Sequence, residues 1–220
     1  MLVATGKPMF SNFFHDAATI DSQERLNELL GSDCLFLHEG GSVVLSGEIT
    51  LGPNVIFAGH NRIVGPARIE AGSTLTNVEL GANNVVRAHS ILSDLKAGDN
   101  NIFGPLCFIR DNCLVEHDSI LGAHVETARS RFASGVKISH RAFVGDADVG
   151  RNTIIGAGCV FCNYDGKGRQ PISVGSDVTI GSGTMLVAPL AIGDNVVIGA
   201  GSVVTKDLAA DTKFVQRRRD

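Results

Sequence analysis

The stretch VGSDVTIGSGTMLVAPLAIGDNVVIGAGSVVTKD, residues 174–207, repeats every six residues. Stepping by six from Val174 lands on Ile180, Leu186, Ile192, Ile198 and Val204, all aliphatic. Glycine follows at 175, 181, 193 and 199, and small or β-branched residues sit four places after a start, at Val178, Thr184, Val196 and Ser202. A period of six matches neither a helix at 3.6 nor a hairpin strand at 2. It fits a coil of three short flat strands joined by tight bends, with one aliphatic side chain of each strand turned inward. The bends take Gly, Asn or Asp because positive φ costs those residues least. Stacked coils pair their backbones in parallel about 4.8 Å apart, and the inward residues form columns whose burial is worth about 25 cal/mol per Å². The expected fold is all-β, a left-handed parallel β-helix of hexapeptide repeats. The competing reading is an ordinary β-sandwich with accidental spacing.

Outward from this segment the same step recurs at Leu45, Leu51, Phe57, Ile63 and Ile69, and again at Val149 and Ile155. The frame slips between Ile69 and Phe132, which bends at the corners can absorb as bulges. CNYDGKGRQPIS, residues 162–173, is polar and holds Gly166, Gly168 and Pro171. It reads as a loop thrown out of the coil, and loops on rigid scaffolds often carry function. Residues 1–44 look different and form an N-terminal extension. Within DSQERLNELLG, Asp21 reads as an N-cap with Glu24 three residues on, Leu26, Leu29 and Leu30 share one side, and Gly31 is the stop. One short helix is expected there, capping the open end of the β-helix, which otherwise exposes unpaired backbone groups. The β-helix itself is assigned to 45–209, with a basic tail at 210–220.

Composition agrees with a turn-rich fold. The 220 residues include 26 glycines, no Trp and one Tyr, more glycine than a helical bundle needs. Net charge is −4, which gives no general pull toward nucleic acid or anionic membrane. No run of about 18 apolar residues predicts a membrane span, and the N-terminus lacks a basic region followed by a long apolar one. Five cysteines, Cys34, Cys107, Cys113, Cys159 and Cys162, are an odd number and point to a reducing, cytoplasmic compartment. The Cys159-Val-Phe-Cys162 pair has no second pair to complete a zinc site. Both are expected to pack. His117, His124 and His140 lack the spacing of a β-helix metal site, so no metal is expected.

Two segments, HRAFVGDADVGRNTIIGAGCVFCNYDG (140–166) and the repeat at 174–207, carry a specific resemblance. From Gly104 to Arg217 the chain resembles the C-terminal acetyltransferase domain of the bacterial bifunctional N-acetylglucosamine-1-phosphate uridyltransferase / glucosamine-1-phosphate acetyltransferase. The NYDG loop after IGAG makes this far more specific than hexapeptides alone. The family's uridyltransferase activity is not implied, because no Gly-rich phosphate loop opening a helix is found. The resemblance implies a homotrimer with acetyl-CoA bound between subunits. It implies His140 as catalytic base. It puts Asn163 and Tyr164 in the loop that contacts acetyl-CoA, Ala157, Ser182 and Ala200 along the cofactor, and Arg217 at its phosphates. On the acceptor side it implies Arg110 as the holder of a sugar phosphate and Glu126 close to the sugar. The chain departs from the family where Ala128 replaces a lysine (Arg129 is next to it), Phe143 a tyrosine and Ile154 an asparagine. The cofactor side is thus retained and the acceptor side altered.

The chemistry fits those residue types. A neutral amine attacks a thioester, and a histidine with pKa near the working pH can take its proton. A backbone N–H can stabilise the developing oxyanion, and Arg217 with its neighbours suits coenzyme phosphates. Each residue also has a plainer explanation. A histidine in a repeat protein is often only structural, Asn163 and Asp165 are turn formers, and Ala157, Ser182 and Ala200 are small where coils pack closely. Three functions are carried forward. The first is N-acetyl transfer to an amino sugar, phosphorylated as Arg110 and Arg129 would favour. The second is acyl transfer to another amine or hydroxyl. The third is a non-catalytic binding or scaffold role.

Overall fold

A computed structural model describes residues 10–30 and 35–216. It is a parallel β-helix of three faces. The inward columns are those of the six-residue step. Val174, Ile180, Leu186, Ile192, Ile198 and Val204 are all at most 4% exposed, and Val178, Thr184, Val196 and Ser202 are buried beside them. Phe57, Phe103, Phe132 and Phe161 are the largest fully buried side chains of the same core.

In the C-terminal half, face A holds the strands Ile120–Ala123, Lys137–His140, Ile154–Ile155, Thr179–Ile180 and Val197–Ile198. Face B holds Phe108–Arg110, Glu126–Ala128, Phe143–Gly145, Val160–Cys162, Met185–Val187 and Val203–Val204. Face C holds Cys113–Val115, Arg131–Phe132, Ala147–Val149, Ile172–Val174 and Leu190–Ile192. All of these pair in parallel with the coil above and below.

The register explains the slips in the sequence. Thr179 pairs with Val197, eighteen residues on, whereas Phe143 pairs with Val160, only seventeen on. The missing residue comes from the B-to-C corner. Asn77, Asp94, Arg129 and Asp146 each make that corner alone, with positive φ, while the coil between has two such residues, Asp111 and Asn112. The long excursion leaves at the same corner. Val160 pairs with Met185, twenty-five residues on, and the chain re-enters the coil at Ile172.

The N-terminal region contains more strand than its sequence discloses. Besides α1 (Gln23–Leu30), it supplies β1 (Phe10–Ile20), β2 (Leu35–Leu37) and the start of β3 (Ser42–Leu51). β1 runs antiparallel along β3 from Phe10↔Leu51 to Ile20↔Val43. The helix is capped one residue later than expected. Ser22, not Asp21, accepts from the Arg25 N–H through Oγ at 3.2 Å, because the helix begins at Gln23. Leu26 is its buried anchor. Gly31, the expected stop, lies outside the described residues, as does Cys34.

Burial pushes the thiols of Cys107, Cys113 and Cys159 up, Cys107 to about 11, so these are protonated packing groups. No helix among the described residues is long and apolar enough to cross a membrane.

Candidate active site

Two edges of face B carry the residues singled out from the sequence. At the A-to-B corner, His140 ends its strand with an exposed ring, and among the described residues nothing hydrogen-bonds that ring. Below it at the same corner stand Ala157, Ser182 and Ala200, all exposed. The file is held by backbone bonds from Gly158 N to Arg141 O (3.0 Å), Gly183 N to Ala157 O (2.8 Å) and Gly201 N to Ser182 O (2.8 Å). Gly183 and Gly201 have φ of 69° and 70°, and a Cβ on either would meet no atom within 4 Å. Elsewhere the fold fills such left-handed corners with side chains, as in the Asn152–Asp177 and Asn195–Asp211 pairs. Here no side chain longer than serine stands at Ala157, Ser182, Ala200 or the glycines that follow them, which leaves an open ridge below His140.

At the opposite edge, the B-to-C corner carries a charged chain of bonds. Arg110 donates to Asp111 (2.6 Å) and Glu126 (2.8 Å). Arg129 donates to Asp111 (2.5 Å) and, through Nε and Nη2, to both oxygens of Asp146 (2.7 and 3.0 Å). Asp146 also accepts from Asn163 Nδ2 at 2.5 Å. The Arg129 fork first, and Asn163 after it, hold the Asp146 carboxyl below the usual carboxylate range. Both guanidinium groups are held correspondingly high, by Glu126 foremost for Arg110 and by Asp146 foremost for Arg129.

The loop that starts at Asn163 is a built turn. Asp165 accepts from the backbone N–H groups of Lys167 and Gly168, both at 2.8 Å, and from Gln170 Nε2 at 3.0 Å. Those bonds, Gly168 first, lower its pKa. Tyr164 bridges to Arg169 across the turn and is itself exposed. Asn163 is 9% exposed.

Between the two edges lies a cleft of 460 Å³ lined by His124, Glu126, Arg141, Ala142, Phe143 and Val160. Glu126 and Phe143 are register partners in it. The structure thus brings Arg110, Glu126 and Arg129 into one network and sets Phe143 beside Glu126. Ile154 lies on face A, paired with Lys137 and Thr179. Ala128 is fully buried. Arg217 lies outside the described residues. His140 and the loop are separated by the width of face B, ~10 Å for a strand of three residues. Two groups in the network, Asp111 and Asp146, were not singled out from the sequence, where Asp at a bend reads as a turn former.

The repeat is matched independently. Residues 171–206 fit the family described as "Bacterial transferase hexapeptide (six repeats)". Fold and repeat together define a left-handed β-helix of hexapeptide repeats, the repeat type of bacterial transferases. More particularly, the chain is 36% identical over 177 residues to "Bifunctional protein GlmU" of Dichelobacter nodosus (strain VCS1703A), covering 80% of this chain and 38% of that protein. It is 35% identical over 179 residues to the protein of the same name from Aromatoleum aromaticum, covering 81% and 39%. The chain therefore spans less than half the length of these relatives. Among solved structures, "UDP-N-acetylglucosamine acyltransferase from Campylobacter jejuni" aligns over 80% of this chain and 68% of that one, with 12% identity and a TM-score of 0.48.

Proposed function

We propose that this chain transfers the acetyl group of acetyl-CoA to the amine of an amino sugar, with His140 as the base. The observation that carries the reading is the file at the A-to-B corner: an exposed histidine at the head of an open ridge formed by Ala157, Ser182 and Ala200. The pantetheine arm is long and narrow and suits such a ridge, with the thioester at the His140 end. His140 takes the proton of the attacking amine, the nitrogen bonds to the thioester carbon, and the thiolate of coenzyme A leaves. Backbone N–H groups of the corner are the donors at hand for the oxyanion. Arg217 is assigned to the coenzyme phosphates on the resemblance alone.

The working unit in this reading is a homotrimer. Down face B run Phe36, Ile91, Phe108, Met185 and Val203, each 40–47% exposed. Ile56, Phe143 and Val160 lie in the same register row, which Thr74 and Glu126 interrupt, and apolar side chains exposed in this way favour burial against other copies. Packing there would bring the His140 edge of one subunit to the Asn163 loop of the next, across a gap that one subunit alone cannot close. Among the described cysteines none is in a disulfide, which fits a reducing compartment such as the cytoplasm.

A second reading, transfer to a different amine or to a hydroxyl, is favoured by Phe143, an apolar side chain beside Glu126 in the cleft. Free-thiol release from acetyl-CoA with a panel of amino sugars, other amines and alcohols separates the two. Turnover with an amino sugar is expected, and His140→Ala should lower kcat about 10²–10⁴-fold with little change in the KM for acetyl-CoA. An unchanged kcat removes His140 from the reaction.

A further inference from the structure

We propose that Gly145 and Asp146 are positioning residues that set Asn163, and through it the hairpin that meets the cofactor. The inference rests on the acetyl-transfer reading above, in which the NYDG segment contacts acetyl-CoA. The excursion from the coil begins as a hairpin with a closed stem. Gln170 N donates to Asn163 O at 2.7 Å, Tyr164 bridges to Arg169, and Asp165 N donates to Gly168 O at 3.1 Å. The Asp165 carboxylate completes the turn by accepting from Lys167 N and Gly168 N. A hairpin closed in this way is aimed by its base, and the base is Asn163.

Asn163 is 9% exposed. Its N–H donates to Phe161 O at 2.9 Å and its carbonyl accepts from Gln170, both close neighbours in sequence. Its side-chain Nδ2 donates to Asp146 Oδ2 at 2.5 Å, seventeen residues back. Among the described residues, that is the hydrogen bond that ties Asn163 to the preceding coil. Asp146 makes the corner of that coil alone, with φ of 52°, and Arg129 fixes both of its oxygens through Nε and Nη2. The same bonds keep its carboxyl below the usual range, so at neutral pH it only accepts. The Asn163 amide must therefore turn its NH2 toward the coil and its oxygen away. Gly145 makes the room. A Cβ there would lie 2.6 Å from Asn163 Nδ2 and 2.8 Å from Phe143 Cζ, closer than a methyl group can approach either. The Asn163 amide and the edge of the Phe143 ring thus both close over Gly145. The base of the cofactor hairpin is set against the ring that lines the acceptor cleft.

Two variants disturb this placement by different means. Asp146→Gly removes the acceptor and suits the left-handed corner. Gly145→Ala adds a methyl against the Asn163 amide and leaves every charge in place. Thiol release is followed with saturating amino sugar and varied acetyl-CoA, and circular dichroism checks the fold. Both variants should raise the KM for acetyl-CoA about 10-fold or more, the size of a lost bond to a charged group, with kcat changed far less. Asn163→Ala should do the same, and adding it to either variant should raise KM no further, since the three act through one contact. Asp146→Asn keeps the side-chain shape should Asp146→Gly fail to fold. A lower Tm with unchanged KM, or effects that add in the double variants, overturns the positioning role and leaves acetyl transfer standing. No thiol release by the wild type with any amine overturns acetyl transfer and this inference with it.

Discussion

Replacing Asp146 by Asn tests the charged chain at the B-to-C corner. The carboxylate is 18% exposed and accepts three side-chain bonds, two from Arg129 and one from Asn163. Asparagine keeps the shape but offers one acceptor oxygen and no charge. The Arg129 fork loses one of its two bonds to this residue and keeps Asp111 as a charged partner. Hydrogen bonds to charged groups are worth about 1.5–3 kcal/mol each, so the net loss should be about 2 kcal/mol. For a domain of 150–250 residues that corresponds to a fall in Tm of about 4–8 °C. The pH dependence fixes the cause. The folded-state pKa of Asp146 lies below its ordinary value of 3.8, so the unfolded chain binds the proton first as pH falls. The stabilisation is complete at neutral pH, above the unfolded pKa of about 3.9, and is lost as pH drops through the folded value. Urea titrations of both proteins at pH 7 and in steps below pH 4 should show a gap in midpoint that closes toward acid. Equal midpoints at pH 7, or a gap independent of pH, would refute the argument. The variant should also raise the KM for acetyl-CoA, because Asn163 loses its anchor.

Gly183→Gln should put a side chain into the open ridge and raise the KM for acetyl-CoA about 10-fold or more, with a backbone cost of roughly 1–2 kcal/mol for left-handed φ. An unchanged KM would remove the ridge as the cofactor track. Phe161→Ala, in the fully buried column beside the loop, should cost about 3–5 kcal/mol in urea unfolding; a loss under 1 kcal/mol would mean the core is not packed as described. If the proposed homotrimer packs through face B, Met185→Glu places a charge among its apolar side chains and should lower the mass found by light scattering from three chains to one. A trimer that survives the change would mean another face forms the contact.

The six-residue step made the faces, the core columns and the loop legible, because each depends on neighbours close in sequence or on a strict period. β1 was not legible. FSNFFHDAATI follows no hexad, and its strand state depends on β3, more than twenty residues away. That Ala157, Ser182 and Ala200 share one corner with His140 follows from the repeat, whereas their assignment to a cofactor came only from the resemblance carried by the NYDG motif. The ion network was not, although every member is visible in the sequence. Arg129 meets Asp111 eighteen residues back and Asp146 seventeen residues ahead, so the pairing emerges only once the one-residue corners are known. An aspartate at a bend is fully explained by its φ, which conceals any second role.

The start of the coil stack has a consequence for assembly. β1 covers the free edge of β3 on two faces, and the Gln23 amide meets Leu35 O at 2.8 Å and Leu37 N at 2.7 Å on the third. A solenoid of stacked turns could lengthen without limit by templating the next molecule on its bare rim. Here an incoming coil meets the antiparallel β1 in place of the parallel rim of β3, so the stack cannot simply be continued in register at this pole, while the flanks stay available for lateral, closed assembly.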